Sequence, residues 1–327
     1  MSARLAGLLL LTLAALGGSL LVGGTWLSPA SVVSALLHPR ADEVATIVWQ
    51  LRLPRVVIGA IVGASLGIAG ALLQGMLRNP LVDPFLTGVS AGAAVAIVAG
   101  MAIGVSSAAV PALGFCSGTA TAIVVAALAR RGAGLDPTRL ILAGVSISSL
   151  CSSIIALILT HLQSSDAAPS IVGWLAGSLS GRGWNELAFC APYLCAGVLL
   201  AAAAVPALNA LRLGDVRAAS SGLDVARAQW IILGSTSLLT ACSVTLAGTV
   251  GFVGLIVPHV ARRAAGSNAR YALPASALLG AAVTVAADAA CRSIAAPTEI
   301  PLGVLLAFAG VPAFLYLYLR GSRPVTA

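Results

Sequence analysis

Residues 51–92 read LRLPRVVIGAIVGASLGIAGALLQGMLRNPLVDPFLTGVSAG. Between Leu53 and Gly75 the only charged side chain is Arg55. About 20 apolar residues rising about 1.5 Å each cross a hydrocarbon core of about 30 Å, so this run predicts a transmembrane helix. Gly59, Gly63 and Gly67 recur every fourth residue with Gly70 close by. Such a stripe lacks side chains and lets a neighbouring helix approach backbone to backbone, which marks these glycines as helix-packing positions. After Gln74, Pro80 and Pro84 each lack an amide donor and push the preceding residue out of helical geometry, so the helix ends there. Arg78 marks a polar boundary, and Asp83 stands where it could cap the next helix.

Composition extends this reading to the whole chain. Hydrophobic residues make up 59% of the 327 and charged residues 9%. A soluble domain could not cover that much apolar surface with so little polar surface, so the bilayer is the solvent. All 18 basic residues are arginine, set against 10 acids for a net charge of +8. With no lysine there is no GxxxxGK[ST] phosphate loop, so ATP hydrolysis of the usual kind is excluded from this chain. The arginines are scattered between apolar runs, which excludes a nucleic-acid patch and makes them markers of topology. Six cysteines without C-x-x-C spacing indicate neither a zinc site nor a disulfide framework.

Ten apolar runs can be marked out, at residues 5–22, 53–75, 84–104, 108–129, 139–159, 188–208, 229–247, 249–260, 271–290 and 301–319. The fold expected is all-α, a polytopic membrane protein with about ten transmembrane helices forming one domain over residues 1–327. The run after Arg4 is long and lacks a small-x-small cleavage site, so it is taken as the first span and not as a secretory signal. The stretch 27–50, with Pro29, His38, Pro39, Arg40, Asp42 and Glu43, suits an outer loop with an interfacial helix. Alternating sides from a cytoplasmic N-terminus leaves Arg40, Arg52, Arg55, Arg182 and Arg292 outside and the other thirteen arginines inside. That satisfies the positive-inside rule and places both termini in the cytoplasm.

Three shorter features stand out. Residues 163–184 are too interrupted to span and predict a half-helix on the outer side. Residues 208–228 form a polar insertion in which Asp215 and Asp224 are N-cap candidates and Gly222 a stop, predicting two short helices at an angle. The segment Asp215, Arg217, Ala218, Ala219, Ser220, Ser221, Gly222, Leu223 and Asp224 would offer a cytoplasmic docking surface to another protein. Asp288 lies deep in an apolar run, where an unpaired carboxylate is costly, and Arg292 one turn on is its expected partner.

Two other readings fare worse. Gly88-Val89-Ser90-Ala91-Gly92 satisfies G-x-S-x-G, with His259 and Asp288 as conceivable partners of a hydrolase. That motif works on a strand-to-helix elbow, whereas here it opens a membrane helix. A secondary transporter driven by protons or sodium would carry ionisable groups near the midplane, and this chain offers only Asp288, toward one end.

The motifs LRLPR, QGMLRNPLVDPFLTGVSAGA, GTVGFVGLIVPHVARR and EIPLGVLLAFAGVPAFLYLYL resemble the FecCD/BtuC-type permease family, the membrane subunits of ABC importers for iron-siderophores, haem and cobalamin. The resemblance covers nearly the whole chain. It implies a type II ABC importer permease fold in the bacterial inner membrane, working as a homodimer with the path along its two-fold axis. It further implies two ATP-binding cassette ATPase subunits, which bind ATP and magnesium, and one periplasmic substrate-binding protein. No cofactor, metal or catalytic residue is implied in this chain. Arg52, Arg55 and Arg292 match arginines that pair with glutamates on the two lobes of the binding protein, and residues 208–228 match the coupling helices that fit the ATPase. The cargo implied is an iron complex, with haem ahead of a ferric siderophore and cobalamin third.

Overall fold

Helix α4, Leu53–Leu77, is the axis on which the other spans are hung. The structure, a computed structural model, describes residues 2–23, 26–38, 43–106, 109–161, 167–296 and 298–321. Pro39, Arg40, Asp42, Gln163 and Arg323 therefore lie outside the described residues. Before α4 come α1 (Ser2–Leu21), α2 (Pro29–Leu37) and α3 (Glu43–Thr46), the last joined to α4 by a π-turn over Ile47–Arg52. A 3-10 turn at Pro84–Thr87 leads to α5 (Val89–Ala102) and α6 (Val110–Ala129). A small hairpin, β1 (Arg130–Arg131) paired antiparallel with β2 (Gly134–Leu135), leads into α7 (Pro137–His161). There follow α8 (Ala167–Leu175), α9 (Trp184–Ala203), α10 (Val205–Leu211), α11 (Asp215–Ser220), α12 (Val225–Ala247), α13 (Val253–Ala265), α14 (Ala269–Ile294) and α15 (Leu302–Gly321).

Among the described residues seven helices are long and apolar enough to cross a membrane: α1, the α3–α4 unit, α6, α7, α9, α12 and α14. Helix α5, with 14 residues, is shorter and apolar, α15 is apolar over Leu302–Tyr316, and α13 completes the ten runs seen in the sequence. Most boundaries shift by a few residues from the sequence reading, and two shifts have a clear local cause. The third span starts at Val89, because Pro84 and Gly88 give residues 84–87 a tight 3-10 turn, whose first amides are capped by Asp83 through Phe85 N at 2.8 Å. The sixth span stops at Ala203, because Pro206 at the start of α10 cannot continue the hydrogen-bond ladder.

Helices α4 and α12 are the most enclosed spans. Their neighbours approach closely because glycines line the contact. A methyl group on Gly63 would overlap the carbonyl of Gly280 on α14, one on Gly67 would overlap that of Ser276, and one on Gly70 would overlap that of Gly254 on α13. Gly59 faces the side chain of Leu179 instead. Interfaces of this kind gain their stability from van der Waals contact over close backbones, since lipid leaves little hydrophobic drive between helices. Helix α12 adds buried hydroxyls, of which Ser235 donates to the Gly197 carbonyl of α9 at 2.7 Å.

Candidate functional site

The two ends of α4 carry the charged groups. Arg55 and Arg78 are 23 residues apart, about 35 Å along a helix.

At the first end Arg55 makes a double fork. Its Nε and Nη2 donate to Asp288 Oδ1 at 3.0 and 2.9 Å, and Nη1 and Nη2 donate to Glu299 Oε1 and Oε2 at 2.9 Å each. Asp288, 2% exposed, also faces Arg292 Nε across an i,i+4 ion pair of 3.1 Å. Glu299, on the loop before α15, is 38% exposed. Arg292 and Arg52 turn inward onto the last turn of α1. Arg52 Nη1 donates to the carbonyls of Leu20 and Leu21 at 2.7 and 3.0 Å. Arg292 Nη1 donates to Val22 O at 2.9 Å and its Nη2 to Ser19 Oγ at 2.7 Å. A helix C-terminus leaves carbonyls without intrahelical partners and carries partial negative charge, so two guanidinium groups are natural caps there. The structure thus brings Arg52, Arg55 and Arg292 together, as the sequence anticipated, but buries Arg52 and Arg292 to 6% exposure and gives each an internal task. Nothing in the local sequence announced that task, because the carbonyls of α1 lie at least 30 residues away.

At the other end Arg78, in left-handed conformation at φ 52°, pairs with Asp215 of α11 at 3.2 Å. Both side chains are well exposed, so this pair contributes about 0–1 kcal/mol and serves to position α11. Glycines with positive φ bracket that helix, Gly214 at 107° and Gly222 at 86°. Ala218 anchors it at 1% exposure, while Leu213 and Val216 stand out at 66% and 85%.

The prediction of two short helices over residues 208–228 needs correction. The N-cap of α11 is Gly214, with Asp215 in its first turn, and Asp224, accepting from Arg227 N at 2.9 Å, opens the 23-residue span α12. The pair of short helices is α10 and α11.

Gln74 is the residue that sequence reasoning passed over. Buried in α4, it donates through Nε2 to the carbonyls of Val82, Gly254 and Leu255 at 3.0–3.2 Å and accepts from Arg262 Nη2 at 2.8 Å. It satisfies the broken backbone where α13 begins, and the one sequence signal for it is a polar side chain inside an apolar run.

The hydrolase constellation does not assemble. Asp288 is held at the Arg55 end of α4, whereas His259 precedes by one turn the Arg262 bound to Gln74, 19 residues or about 28 Å further along. Ser90 is buried in the first turn of α5.

Long apolar helices packed through glycines, with a broken span and charge confined to the ends, define a polytopic helical membrane protein. More particularly, the chain belongs to the FecCD transport family, whose pattern it matches over residues 8–320. It is 36% identical to the Fe(3+)-citrate import system permease protein YfmE of Bacillus subtilis, over 90% of this chain and 88% of that one. Against the cobalamin import system permease protein BtuC of Halobacterium salinarum it is 39% identical, over 90% and 79%. The hemin transport system permease protein HmuU of Yersinia pestis is 34% identical, over 84% and 83%. Among solved structures, an inward-facing metal-chelate type ABC transporter superposes with a TM-score of 0.87 at 32% identity, covering 98% of this chain and all of that one. PsaBC of Streptococcus pneumoniae shares the fold, with a TM-score of 0.60 at 12% identity over 88% and 95%. This chain is therefore an ABC importer permease, a membrane subunit of a family that works with ATPase and substrate-binding subunits.

Proposed function

We propose that the chain is the membrane subunit of an importer for an iron complex, working as a homodimer, with the Arg78 end in the bacterial cytoplasm together with both termini. The observation that carries the energetic part of this reading is α11, which projects exposed Val216 beside Arg217 at the Arg78 end, with exposed Leu213 on the turn just before it, while staying tied to α4 through Asp215. Exposed apolar side chains on a short helix bracketed by two glycine turns, and on the turn that leads into it, suit a groove on another protein. Two ATPase subunits would dock there, binding ATP and magnesium themselves, and their closure would push α11 and tilt α4 and α12. The least enclosed of the seven spans is α7, which exposes Leu142, Val145, Leu150 and Leu157 together with Ser149 and Ser153. Hydroxyls beside leucines suit a second copy and a wetted path better than lipid alone, which supports pairing of two chains around the cargo.

The periplasmic binding protein would settle on the opposite end. Its carboxylates would meet Arg55 first, since Glu299 is the exposed partner there and can be exchanged. Arg52 and Arg292 would contribute mainly by fixing the rim. The relatives' names cover Fe(3+)-citrate, hemin and cobalamin at 36%, 34% and 39% identity, a spread too narrow to rank them. Haem, ferric siderophore and cobalamin stay in the order that the sequence resemblance implies. Purifying the complex with its ATPase and measuring ATP hydrolysis with the binding protein loaded in turn with haem, ferric citrate and cobalamin tests both parts. Stimulation by one loaded form identifies the cargo. No stimulation by any, with an ATPase that does not co-purify, contradicts the reading.

A further inference from the structure

A cavity of about 270 Å³ opens where the ends of α4, α10, α13 and α14 meet, and three arginines line it: Arg78, Arg212 and Arg262. A water's share of the liquid is about 30 Å³, so the space holds a group several times that size. Arg262 is engaged by the neutral Gln74 at 2.8 Å, and Arg78 by Asp215 at 3.2 Å near the surface. Among the described residues no carboxylate comes within ion-pair distance of Arg212 or Arg262. Burial holds the Arg212 guanidinium below its ordinary range.

Helix dipoles do not remove the imbalance. The C-terminal ends of α4, α10 and α13 supply roughly half a negative charge each, but the N-terminus of α14, whose Ala269, Ala272 and Leu273 line the same cavity, adds the opposite sign. Like charges gathered in a partly enclosed space repel more strongly than in water, so the arrangement favours an anion. Planar guanidinium groups arranged around one space match the oxygens of a phosphate. Basic pockets between spans on the cytoplasmic side are also where anionic headgroups bind.

We propose that this cavity binds a phosphate group, carried by an anionic phospholipid headgroup or by free phosphate, through Arg212 and Arg262 with Arg78 at its mouth. The site is independent of the cargo. Because Arg212 is two residues from Gly214 and three from Asp215, an occupied site braces α10 and α11 against α4, so the bound anion stiffens the link through which an ATPase would act.

The test takes the full permease purified with its ATPase, stripped of lipid and offered phosphatidylglycerol and phosphatidylcholine in equal amounts, with retained lipid counted by native mass spectrometry. The wild type should prefer phosphatidylglycerol, and the double variant Arg212→Gln, Arg262→Gln should lose about fivefold of that preference per arginine removed. Arg212→Lys should keep most of it. In a second arm millimolar inorganic phosphate is added without lipid and the thermal midpoint is read. Protection by phosphate, lost in the double variant, assigns the site to the free anion, and protection by phosphatidylglycerol alone assigns it to the lipid. A wild type indifferent to both probes overturns the proposal without any variant having to fold. So does a double variant that keeps the wild-type preference, or one that loses only its ATPase, which makes the cavity a protein contact. Neither result bears on whether the chain imports an iron complex, which the stimulation of ATP hydrolysis decides separately.

Discussion

Gly63 of α4 and Gly280 of α14 lie so close that a methyl group on either would overlap the other's carbonyl. Gly63→Leu should therefore separate the two helices that hold the Arg55–Asp288 cluster. Overpacking costs about 1–3 kcal/mol, and here the obstruction is backbone, which cannot rotate away, so the upper end applies. The thermal midpoint of the purified protein should drop by several degrees, whereas Gly7→Ala, which has open space around it, should leave it unchanged.

Asp288, 2% exposed, pairs with both Arg55 and Arg292, and the exposed Glu299 supplies the second negative charge of the cluster. Removing one member of a buried pair typically costs about 3–5 kcal/mol, because the remaining charge is stranded. Asp288→Ala should be among the most damaging single substitutions. Glu299→Gln, at an exposed carboxylate, should cost about 0–1 kcal/mol. Equal losses from the two substitutions, measured by denaturation, would remove the distinction drawn between them.

The same geometry separates the three arginines proposed to meet a binding protein. Arg55→Gln, which removes the charge without adding a third carboxylate beside Asp288 and Glu299, should weaken binding-protein association and cost stability as well, less than Asp288→Ala because Asp288 keeps Arg292 as a partner. Arg52→Glu and Arg292→Glu would set a carboxylate against the carbonyls of α1 and should lower stability before docking can be measured. Association measured by surface plasmon resonance on Arg55→Gln protein that elutes as a folded species checks this, and unchanged affinity would end the docking assignment.

Asp83 sets a pH dependence. Burial pushes its carboxyl up from 3.8 to about 6, against the Phe85 amide that favours the charged form. The folded protein then binds this proton more tightly than the unfolded chain, so the stabilisation is full below about pH 3.8 and is lost as pH rises through about 6. Asp83→Asn should flatten the fall in thermal midpoint across that window, and an unaltered slope would contradict the assignment.

Gly222 adopts φ 86°, a conformation that other residues adopt only under strain. Gly222→Val should tilt α11 and uncouple ATP hydrolysis from transport, so that hydrolysis continues without cargo uptake. Full coupling in that variant would refute the docking role of α11.

Much of this was legible in the sequence because bilayer solvation constrains composition so strongly. The ten apolar runs, the Gly63–Gly67 contact face, the break after Gln74 and the partnership of Asp288 with Arg292 all follow from local pattern. What escaped depends on tertiary neighbours. The capping of α1 by Arg52 and Arg292 requires knowing which helix end lies beside them. The cavity of Arg78, Arg212 and Arg262 joins residues up to 184 apart. Asp215 looked like an N-cap because aspartate often is one, but the positive φ of Gly214 made that glycine the cap instead.

A permease that draws its energy from a separate ATPase should accumulate no cargo by itself. Proteoliposomes holding the permease alone, or with its ATPase and loaded binding protein, should be given haem, ferric citrate and cobalamin with and without ATP or an imposed proton gradient. Accumulation of one cargo only in the complete, ATP-supplied vesicles is the result predicted. Uphill accumulation by the permease alone, abolished by an uncoupler, would contradict it.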